Sequence, residues 1–360
     1  MIESVDFPEF VPHPLFRSGH LQTLGVILLP QLKDPGQGTC HIVELSDGDQ
    51  IAVIEDEFPE WQEGDRIVVA MHGLTGSHAS QYMIRIRNQM ELAANKIFRI
   101  DMRGFGDSTF ISKGHCSAGS YQDLGDVLAW ILEQHPTSPI TLVAFSLGAN
   151  ITLHYLGRDP DAVPRQVDSC FAVAPPIDLM HCSWNLRRGL NRIYDHSFIK
   201  SLHHQLRLRR QRVVDLKDRQ VFPLPRRLLQ FDDEYTSIIC GYQGARDYYQ
   251  QCSSAPVLKQ IQVPTKLIVA MDDPVVPHSM FERCQLSSCI QLISTRYGGH
   301  LGYIGKPLAG KSRWLDQRLS EWIDQLPKGM TDHPTSSQGA DSNPADLRQT
   351  HLKSGSNKLT

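Results

Sequence analysis

The sequence contains no apolar run long enough to cross a bilayer. Its longest early run, residues 24–29, is far shorter than the roughly 18 to 20 residues that a transmembrane helix needs. Residues 1–6 are acidic and lack the positively charged and then apolar order of a signal peptide. We therefore expect a cytoplasmic protein.

The sequence also lacks closely spaced cysteine pairs and a strong charge of either sign. Its eight cysteines are scattered, with no Cys-x-x-Cys pair, which favours buried thiols over a disulfide framework or a metal site. The formal net charge is -3 and no recognition motif accompanies the basic residues, so we expect no nucleic-acid partner. We also expect no metal and no organic cofactor.

Among the residues that are present, Ser146 is a candidate nucleophile. It has small neighbours, Ala144 and Gly148, and lies between an apolar, strand-like run (139–143) and a helix-like stretch (149–156). A strand, a sharp turn with serine and a helix form a nucleophile elbow, whose strained turn exposes the hydroxyl. Ala144 stands where such elbows have their first glycine, and it still fits the turn. The pentapeptide alone is equally compatible with an ordinary turn whose serine caps the helix.

A serine nucleophile needs a base, and the base needs an acid that orients it. In an enzyme with a nucleophile elbow the chain order is serine, acid, histidine. Downstream of Ser146, Asp273 follows the apolar run 266–270, and His300 lies in a glycine-rich loop after another strand-like run, 290–293. The order is the required one, and we interpret these three residues as a catalytic triad.

Two other aspartates compete for the role of the acid. Asp272 directly precedes Asp273, but its side chain would face the opposite way along an extended chain. Asp178 follows an earlier strand-like run, where its alternative role is to cap the next helix. His72 and His20 are interpreted as structural residues, the first shaping a loop and the second bracing the core.

The oxyanion that forms during acyl transfer needs hydrogen-bond donors. The apolar run 66–71 leads into a His-Gly-Leu-Thr-Gly loop at residues 72–76, which can direct a backbone N–H towards the oxyanion. We assign one donor to the backbone N–H of Leu74. The second is the N–H of Leu147, which follows the nucleophile.

These motifs resemble the α/β-hydrolase superfamily. The matching stretches are Ala-Phe-Ser-Leu-Gly-Ala-Asn at 144–150, His-Gly-Leu-Thr-Gly at 72–76, Asp-Asp-Pro at 272–274 and Gly-Gly-His-Leu-Gly at 298–302. Three further stretches, at 14–23, 231–236 and 247–249, resemble its YheT-like subgroup of esterases, of the AB hydrolase-4 type. Residues 101–108 depart from that subgroup and are more similar to the general superfamily. The resemblance implies an α/β-hydrolase fold with a cap and an ester substrate.

The order of apolar runs predicts an α/β fold. Strand-like runs occur at 66–71, 96–100, 139–143, 170–174, 266–270 and 290–293. Helical faces are formed by two sets of residues: Leu124, Val127, Leu128, Ile131 and Leu132, and Trp314, Leu315, Leu319, Trp322, Ile323 and Leu326. This alternation implies a mostly parallel central sheet covered on both faces by helices.

The interval between the fourth and fifth of these runs is too long for a connection and too helical for a linker. It should be a helical cap inserted into one large α/β domain. We therefore divide the chain into a first core part (1–178), the cap (179–256), a second core part (257–326) and a polar tail (327–360) that we expect to be disordered.

The predicted cap is rich in basic residues: Arg187, Arg188, Arg192, Lys200, Arg207, Arg209, Arg210, Arg212, Lys217 and Arg219. One interpretation is a solvated helix face whose charges pair with acids elsewhere. The other is weak peripheral contact with anionic membrane surfaces, because basic amphipathic helices lie on such surfaces.

Together these features predict a serine hydrolase that cleaves carboxylic esters, with short-chain, medium-chain or lipid acyl groups, through an acyl-enzyme intermediate. Its partner would be a small-molecule or lipid ester. The alternatives are a cofactor-free acyltransferase or perhydrolase with the same triad, and a non-catalytic binding protein on the same scaffold.

Overall fold

The structure, a computed structural model, describes residues 9–93, 95–210, 225–306 and 313–329. The strands are β1 (Thr39–Glu44), β2 (Gln50–Asp56), β3 (Ile67–Met71), β4 (Lys96–Ile100), β5 (Ile140–Phe145), β6 (Val167–Val173), β7 (Thr265–Ala270) and β8 (Ile290–Thr295). They form one sheet in the order β1-β2-β4-β3-β5-β6-β7-β8. β1, β2 and β4 pair antiparallel, and the remaining neighbours pair parallel. The mostly parallel sheet predicted from the sequence is confirmed.

The central strands are apolar along their length because helices cover both faces of the sheet. Every residue of β3 is buried. Its successive side chains contribute to two separate cores, with Val68 and Ala70 in one and Val69 and Met71 in the other. The sheet therefore separates the two cores.

The β1–β2 hairpin at the edge of the sheet is absent from the sequence-based prediction. Its turn contains Asp47 and Gly48, and Gly48 has a φ of +78° that favours glycine. The Leu45 N–H donates to the Asp49 carbonyl at 2.8 Å to close the turn. An Asp-Gly pair between two short strand-like stretches is a known hairpin signal, so the sequence did contain the information.

Helices cover both faces of the sheet. They are α1 (Gly19–Leu28), α2 (Gln81–Leu92), α3 (Tyr121–Gln134), α4 (Leu147–Arg158), α5 (Leu179–Leu186), α6 (Arg192–Arg210), α7 (Leu228–Phe231), α8 (Ser237–Ile239), α9 (Ala245–Cys252) and α10 (Trp314–Asp324). A π-helical turn, Asp232–Thr236, joins α7 to α8. α2 packs against α10 on one face, and α3 against α4 on the other. Within the described ranges, we find no helix that combines the length and apolar character needed to span a membrane.

The chain between β6 and β7 contains α5 to α9, where the sequence predicts a cap. α5 begins at Leu179, and Ile199 and Leu202 of α6 belong to the same hydrophobic core as α3 and α4. All described residues fall within one compact unit. The boundaries at 178/179 and 256/257 therefore stay predictions, and residues 330–360 of the predicted tail lie outside the described residues.

All eight cysteines are free thiols. Cys116, Cys170, Cys182 and Cys252 are buried, as expected. Cys240, Cys284 and Cys289 are half-buried. Cys40 is exposed because it lies on β1, an edge strand, so the expectation of a buried thiol is wrong there.

Candidate active site

Ser146 occupies a sharp turn between the end of β5 and the start of α4. Its φ is +50° and its ψ is -121°, a conformation that non-glycine residues rarely adopt. The Ser146 N–H donates to the Val173 carbonyl at 2.8 Å, which fixes the turn to the neighbouring strand β6. Close packing explains the small residues nearby: a Cβ on Gly148 would lie 2.3 Å from the His72 carbonyl oxygen. The geometry is that of a nucleophile elbow.

Ser146, His300 and Asp273 form one hydrogen-bonded chain. His300 Nε2 lies 2.9 Å from Ser146 Oγ, and His300 Nδ1 lies 2.9 Å from Asp273 Oδ2. The other carboxylate oxygen, Asp273 Oδ1, accepts the N–H groups of Val275 at 2.8 Å and Val276 at 3.0 Å. The Asp273 side chain is only 1% exposed. Backbone donors thus hold a buried carboxylate against the histidine.

The two competing aspartates have other partners. Asp178 is the N-cap of α5, where its Oδ1 accepts the His181 N–H at 2.9 Å. Asp272 Oδ1 accepts the Gly299 N–H at 2.9 Å. The structure therefore brings Asp273 to the imidazole of His300 and places the other two carboxylates at backbone amides.

His72 lies at the base of the loop that follows β3. The Met102 N–H donates to His72 Nε2 at 3.2 Å, so the ring proton lies on Nδ1, which donates to the Gly73 carbonyl at 2.8 Å. Burial lowers the pKa of His72, which keeps the ring neutral. Its position fits the structural role expected from the sequence. The Gly73 N–H in turn donates to Tyr82 Oη at 2.9 Å.

The two predicted oxyanion donors lie beside the serine. Leu74 and Leu147 line the same pocket as Ser146. Leu147 is the first residue of α4, and the first N–H groups of a helix have no intrahelical acceptor. Among the described residues, neither backbone N–H donates to another protein group. Both are therefore available to a ligand.

The pocket over Ser146 lies between the core and the helices that follow β6. Leu147 and Val276 contribute from the core, and Leu179 and Phe198 contribute from α5 and α6. Most of the remaining wall is also apolar. This surface suits an aliphatic chain better than a strongly polar group.

A small polar cluster interrupts this apolar wall. Thr236 Oγ1 donates to Asp232 Oδ1 at 2.8 Å, and the Tyr249 hydroxyl donates to Asp232 Oδ2 at 2.5 Å. Burial raises the pKa of Asp232 to about 6, outweighing the lowering by these two hydrogen bonds. Sequence reasoning noted these residues only within stretches resembling the YheT-like subgroup. No sequence rule joined them, because they lie on a π turn and a separate helix.

His20 connects α1 to the long helix α6. His20 Nδ1 and Tyr194 Oη are 2.9 Å apart, and the two rings are stacked with centroids 5.8 Å apart. His20 therefore braces two helices, which is the kind of role that the sequence suggested for it.

The basic residues predicted for the cap do not all lie on its surface. Those that are exposed are Arg187, Arg188, Arg192, Lys200 and Arg207. Arg209 is buried, and its Nη2 donates to the carbonyls of Ser112, Lys113 and Gly114. The expectation that Arg209 is solvated or faces a membrane is therefore wrong, because the side chain packs towards the core. Arg210 is half-buried, and Arg212, Lys217 and Arg219 lie outside the described residues.

His78, Asp101 and Asp107 form a group whose possible metal-ligand atoms lie within 4.8 Å of one another. Asp101 Oδ1 accepts the His78 N–H at 2.5 Å. Asp101 Oδ2 lies 2.7 Å from His78 Nδ1 and accepts the Asp107 N–H at 2.7 Å. Hydrogen bonds within the group thus occupy the buried carboxylate, which suits a loop anchor. The predicted absence of a metal stays a prediction.

Comparison with known proteins places this site in a family context. A family model for the alpha/beta hydrolase fold matches residues 66–307. The Escherichia coli (strain K12) protein named "Putative esterase YheT" is 29% identical over 321 residues, covering 88% of this chain and 93% of that protein. The Homo sapiens "Phospholipase ABHD3" is 23% identical over 309 residues, covering 82% of this chain and 73% of that protein.

Among solved structures, the Pyrococcus furiosus esterase Pf2001 aligns with a TM-score of 0.52 and 16% identity, over 80% of this chain and 90% of that chain. This likeness shows a shared fold. The family match spans more than half of the chain and includes Ser146, Asp273 and His300. The chain therefore belongs to the α/β-hydrolase fold family, as a YheT-like hydrolase.

Proposed function

We propose that the protein is a serine hydrolase that cleaves carboxylic esters through an acyl-enzyme intermediate. The observation behind the proposal is the unbroken chain of contacts from Ser146 through His300 to Asp273, with 2.9 Å at each contact. A serine hydroxyl is a weak nucleophile unless a base takes its proton. In this proposal His300 takes the proton, and Asp273 holds the required tautomer.

In the acylation step, Ser146 Oγ attacks the ester carbonyl carbon while His300 Nε2 takes the hydroxyl proton. The carbonyl electron pair moves to oxygen, and the N–H groups of Leu74 and Leu147 bind the resulting oxyanion. Asp273 stabilises the imidazolium without becoming protonated. Collapse of the intermediate breaks the bond to the leaving oxygen, which receives the proton from His300 and departs as an alcohol.

In the deacylation step, water replaces the alcohol. His300 takes a proton from this water as it attacks the acyl carbon, and the same two N–H groups bind the second oxyanion. When the Ser146–acyl bond breaks, the proton returns to Ser146 Oγ and the carboxylic acid leaves. The protein residues are then in their starting state.

The apolar pocket supports an ester with an aliphatic acyl group, of short, medium or lipid chain length. Each buried methylene contributes about 0.8 kcal/mol of transfer free energy, so a pocket of this lining favours longer chains until its length is filled. The names of the relatives agree with this class of substrate, since one is called an esterase and another a phospholipase.

The test is covalent labelling by a fluorescent fluorophosphonate, with a matched pair of serine variants. Ser146→Ala should abolish labelling. Ser138→Ala is the control, because Ser138 is buried just before β5 and its Oγ has no hydrogen-bond partner among the described residues. Two results would contradict an activated Ser146. One is labelling of Ser146→Ala, and the other is the absence of labelling in the folded wild-type protein.

A panel of p-nitrophenyl esters of increasing chain length then tests the substrate class. We expect hydrolysis that rises with chain length to an optimum and is lost in Ser146→Ala. A labelled protein that hydrolyses no ester in the panel would argue against ester hydrolysis as its reaction.

A further inference from the structure

Helix α1 packs directly on the loop that contains His300. Gln22 is completely buried between them. Its Nε2 donates to the carbonyls of Phe16 at 2.6 Å and Ile304 at 3.1 Å, and its Oε1 accepts the Ile304 N–H at 2.7 Å. The amide of Gln22 thus satisfies both backbone groups of Ile304, four residues beyond the histidine.

Thr23 holds the backbone of His300 itself. Thr23 Oγ1 accepts the His300 N–H at 2.9 Å and donates to the Gly19 carbonyl at 2.7 Å. The hydroxyl is therefore fixed by its own helix and oriented towards the histidine. A side chain of α1 is therefore hydrogen-bonded to the backbone of His300, whose ring contacts Ser146.

The loop needs support from outside because its backbone is strained. Leu301 and Tyr303 have φ values of +63° and +46°, in a region that non-glycine residues seldom adopt. Such conformations each cost on the order of 1–3 kcal/mol and persist only when the surroundings enforce them. Thr23 contacts His300, just before these two residues, and Gln22 contacts Ile304, just after them.

The packing between α1 and the loop leaves no room for adjustment. A Cβ on Gly299 of this loop would lie 2.5 Å from the Gly19 carbonyl oxygen. On the other side, a Cβ on Gly19 would lie 1.7 Å from the carbonyl oxygen of Asp272, in the loop after β7 whose carboxylate accepts the Gly299 N–H. Backbone therefore meets backbone at this interface. A small shift of α1 would be transmitted to the loop.

We infer that Thr23, supported by Gln22, is a positioning residue that sets the imidazole of His300 in line with Ser146 and Asp273. The inference rests on the proposed role of His300 as the base. Thr23 takes no proton and contacts no reacting atom in this scheme. It acts through the backbone of His300, because a misplacement of about 1 Å at a reacting group can cost roughly 100-fold in rate.

The experiment compares Thr23→Val with Thr23→Ser. Valine keeps the shape of threonine but leaves the part-buried His300 N–H without its acceptor, whereas serine keeps the hydroxyl. We expect Thr23→Val to lower kcat by about 10- to 100-fold with little change in KM, and Thr23→Ser to restore most of the activity. The rate of fluorophosphonate labelling should fall in parallel with kcat.

Thr265→Val is the matched control. Thr265 is buried at the start of β7, and its hydroxyl donates to the Val263 carbonyl at 2.8 Å, away from the loop. This variant should lose stability without a specific loss of kcat. If Thr23→Val proves unfolded by thermal denaturation, Thr23→Ala provides the same loss of acceptor with a smaller side chain and without a methyl group at the position of the hydroxyl.

Three results would overturn the inference. The first is wild-type kcat in folded Thr23→Val, and the second is a KM effect of the same size as the kcat effect. The third is a fall in kcat that Thr23→Ser does not reverse. These outcomes differ from failure of the proposed function, in which the wild-type protein itself would show no labelling that depends on Ser146.

Discussion

Asp272 and Asp273 are adjacent in the chain, yet their carboxylates hold the same loop in two different ways. Asp272 Oδ1 accepts the backbone N–H of Gly299, and Asp273 Oδ2 contacts the ring of His300, each at 2.9 Å. Because neighbouring side chains point in different directions, one aspartate anchors the loop and the other orients the imidazole. The pair shows how two identical side chains can have separate roles.

Replacing each aspartate by asparagine separates these roles. Asp273→Asn removes the charge that stabilises the imidazolium and favours the wrong tautomer, so we expect kcat to fall by roughly 10,000-fold. Steady-state hydrolysis of a p-nitrophenyl ester measures this loss.

Asp272→Asn and Asp178→Asn are the matched controls. An asparagine oxygen can still accept the Gly299 N–H, and asparagine is as good an N-cap as aspartate, so both variants should retain most of their activity. Loss of activity in Asp178→Asn but not in Asp273→Asn would show that the acid is wrongly assigned.

The polar cluster of the pocket gives a prediction about stability and pH. In the folded protein the pKa of Asp232 is raised to about 6 by burial, whereas an unfolded aspartate has a pKa of about 4. Between these values the folded state binds the proton and the unfolded state does not. The contribution of Asp232 to stability is therefore greatest below about pH 4 and is lost as the pH rises to about 6.

Asp232→Asn removes this titration. The free energy of unfolding of the variant should increase relative to that of the wild type by on the order of 3 kcal/mol between about pH 4 and pH 6, and the difference should then stay constant. Urea unfolding at several pH values measures it. The raised pKa would be contradicted if the difference in unfolding free energy between variant and wild type stayed constant between about pH 4 and pH 6, or decreased.

The exposed segment 184–193, which runs from the last turn of α5 to the first turn of α6, is where we propose contact with an anionic membrane surface. Trp184, Leu190 and Ile193 are 55%, 65% and 50% exposed. Three exposed arginines lie among them, and the segment 184–193 contains no acidic residue. Exposed apolar side chains beside cations suit the boundary between headgroups and acyl chains. α5 also lines the pocket over Ser146, so bound lipid would lie near the site.

Sedimentation with phosphatidylglycerol-containing vesicles at low salt tests this contact. We expect binding that added salt weakens, and that is lost when Arg187, Arg188 and Arg192 are all changed to glutamate. The control changes three exposed basic residues outside the cap to glutamate: Lys259, Arg283 and Arg296. Absence of binding at low salt, or equal loss in the control, would rule out a specific membrane contact.

Local patterns in the sequence were enough to predict the strands β3 to β8 and the nucleophile elbow, although not the β1–β2 hairpin. The run 96–100 coincides with β4, and the turn at Ser146 follows β5 as expected. These features depend on periodicity and turn geometry within a few residues. The order of Ser146, Asp273 and His300 was also readable, because each follows a strand whose carboxyl end lies at the same edge of a parallel sheet.

Contacts between distant segments could not be predicted in this way. The hydrogen bond between Thr23 and His300 joins residues 277 positions apart. Arginine is usually found at the protein surface. Arg209 is nevertheless buried, because its guanidinium donates hydrogen bonds to three carbonyls of a loop almost one hundred positions earlier. Such partners are set by how elements pack, which periodicity does not encode.

The elbow itself offers a test of close packing. A Cβ at Gly148 would lie 2.3 Å from the His72 carbonyl oxygen and 2.8 Å from Met71 Cγ. Because the first of these atoms is backbone, Gly148→Ala must displace the loop after β3 or the start of α4, which should cost at least about 1–3 kcal/mol. Both segments bear a proposed oxyanion donor, so fluorophosphonate labelling should also fall.

Gly125→Ala in α3 is the matched control for Gly148→Ala. There the nearest atom to a new Cβ is Tyr155 Cε2 at 3.1 Å, which belongs to a side chain that can move. Alanine is favoured over glycine inside a helix by up to about 1 kcal/mol, so this variant should keep its stability and its labelling. Thermal unfolding and fluorophosphonate labelling are measured for both variants, and we expect losses in Gly148→Ala only. A stable, fully labelled Gly148→Ala would mean that the elbow is less crowded than the structure indicates.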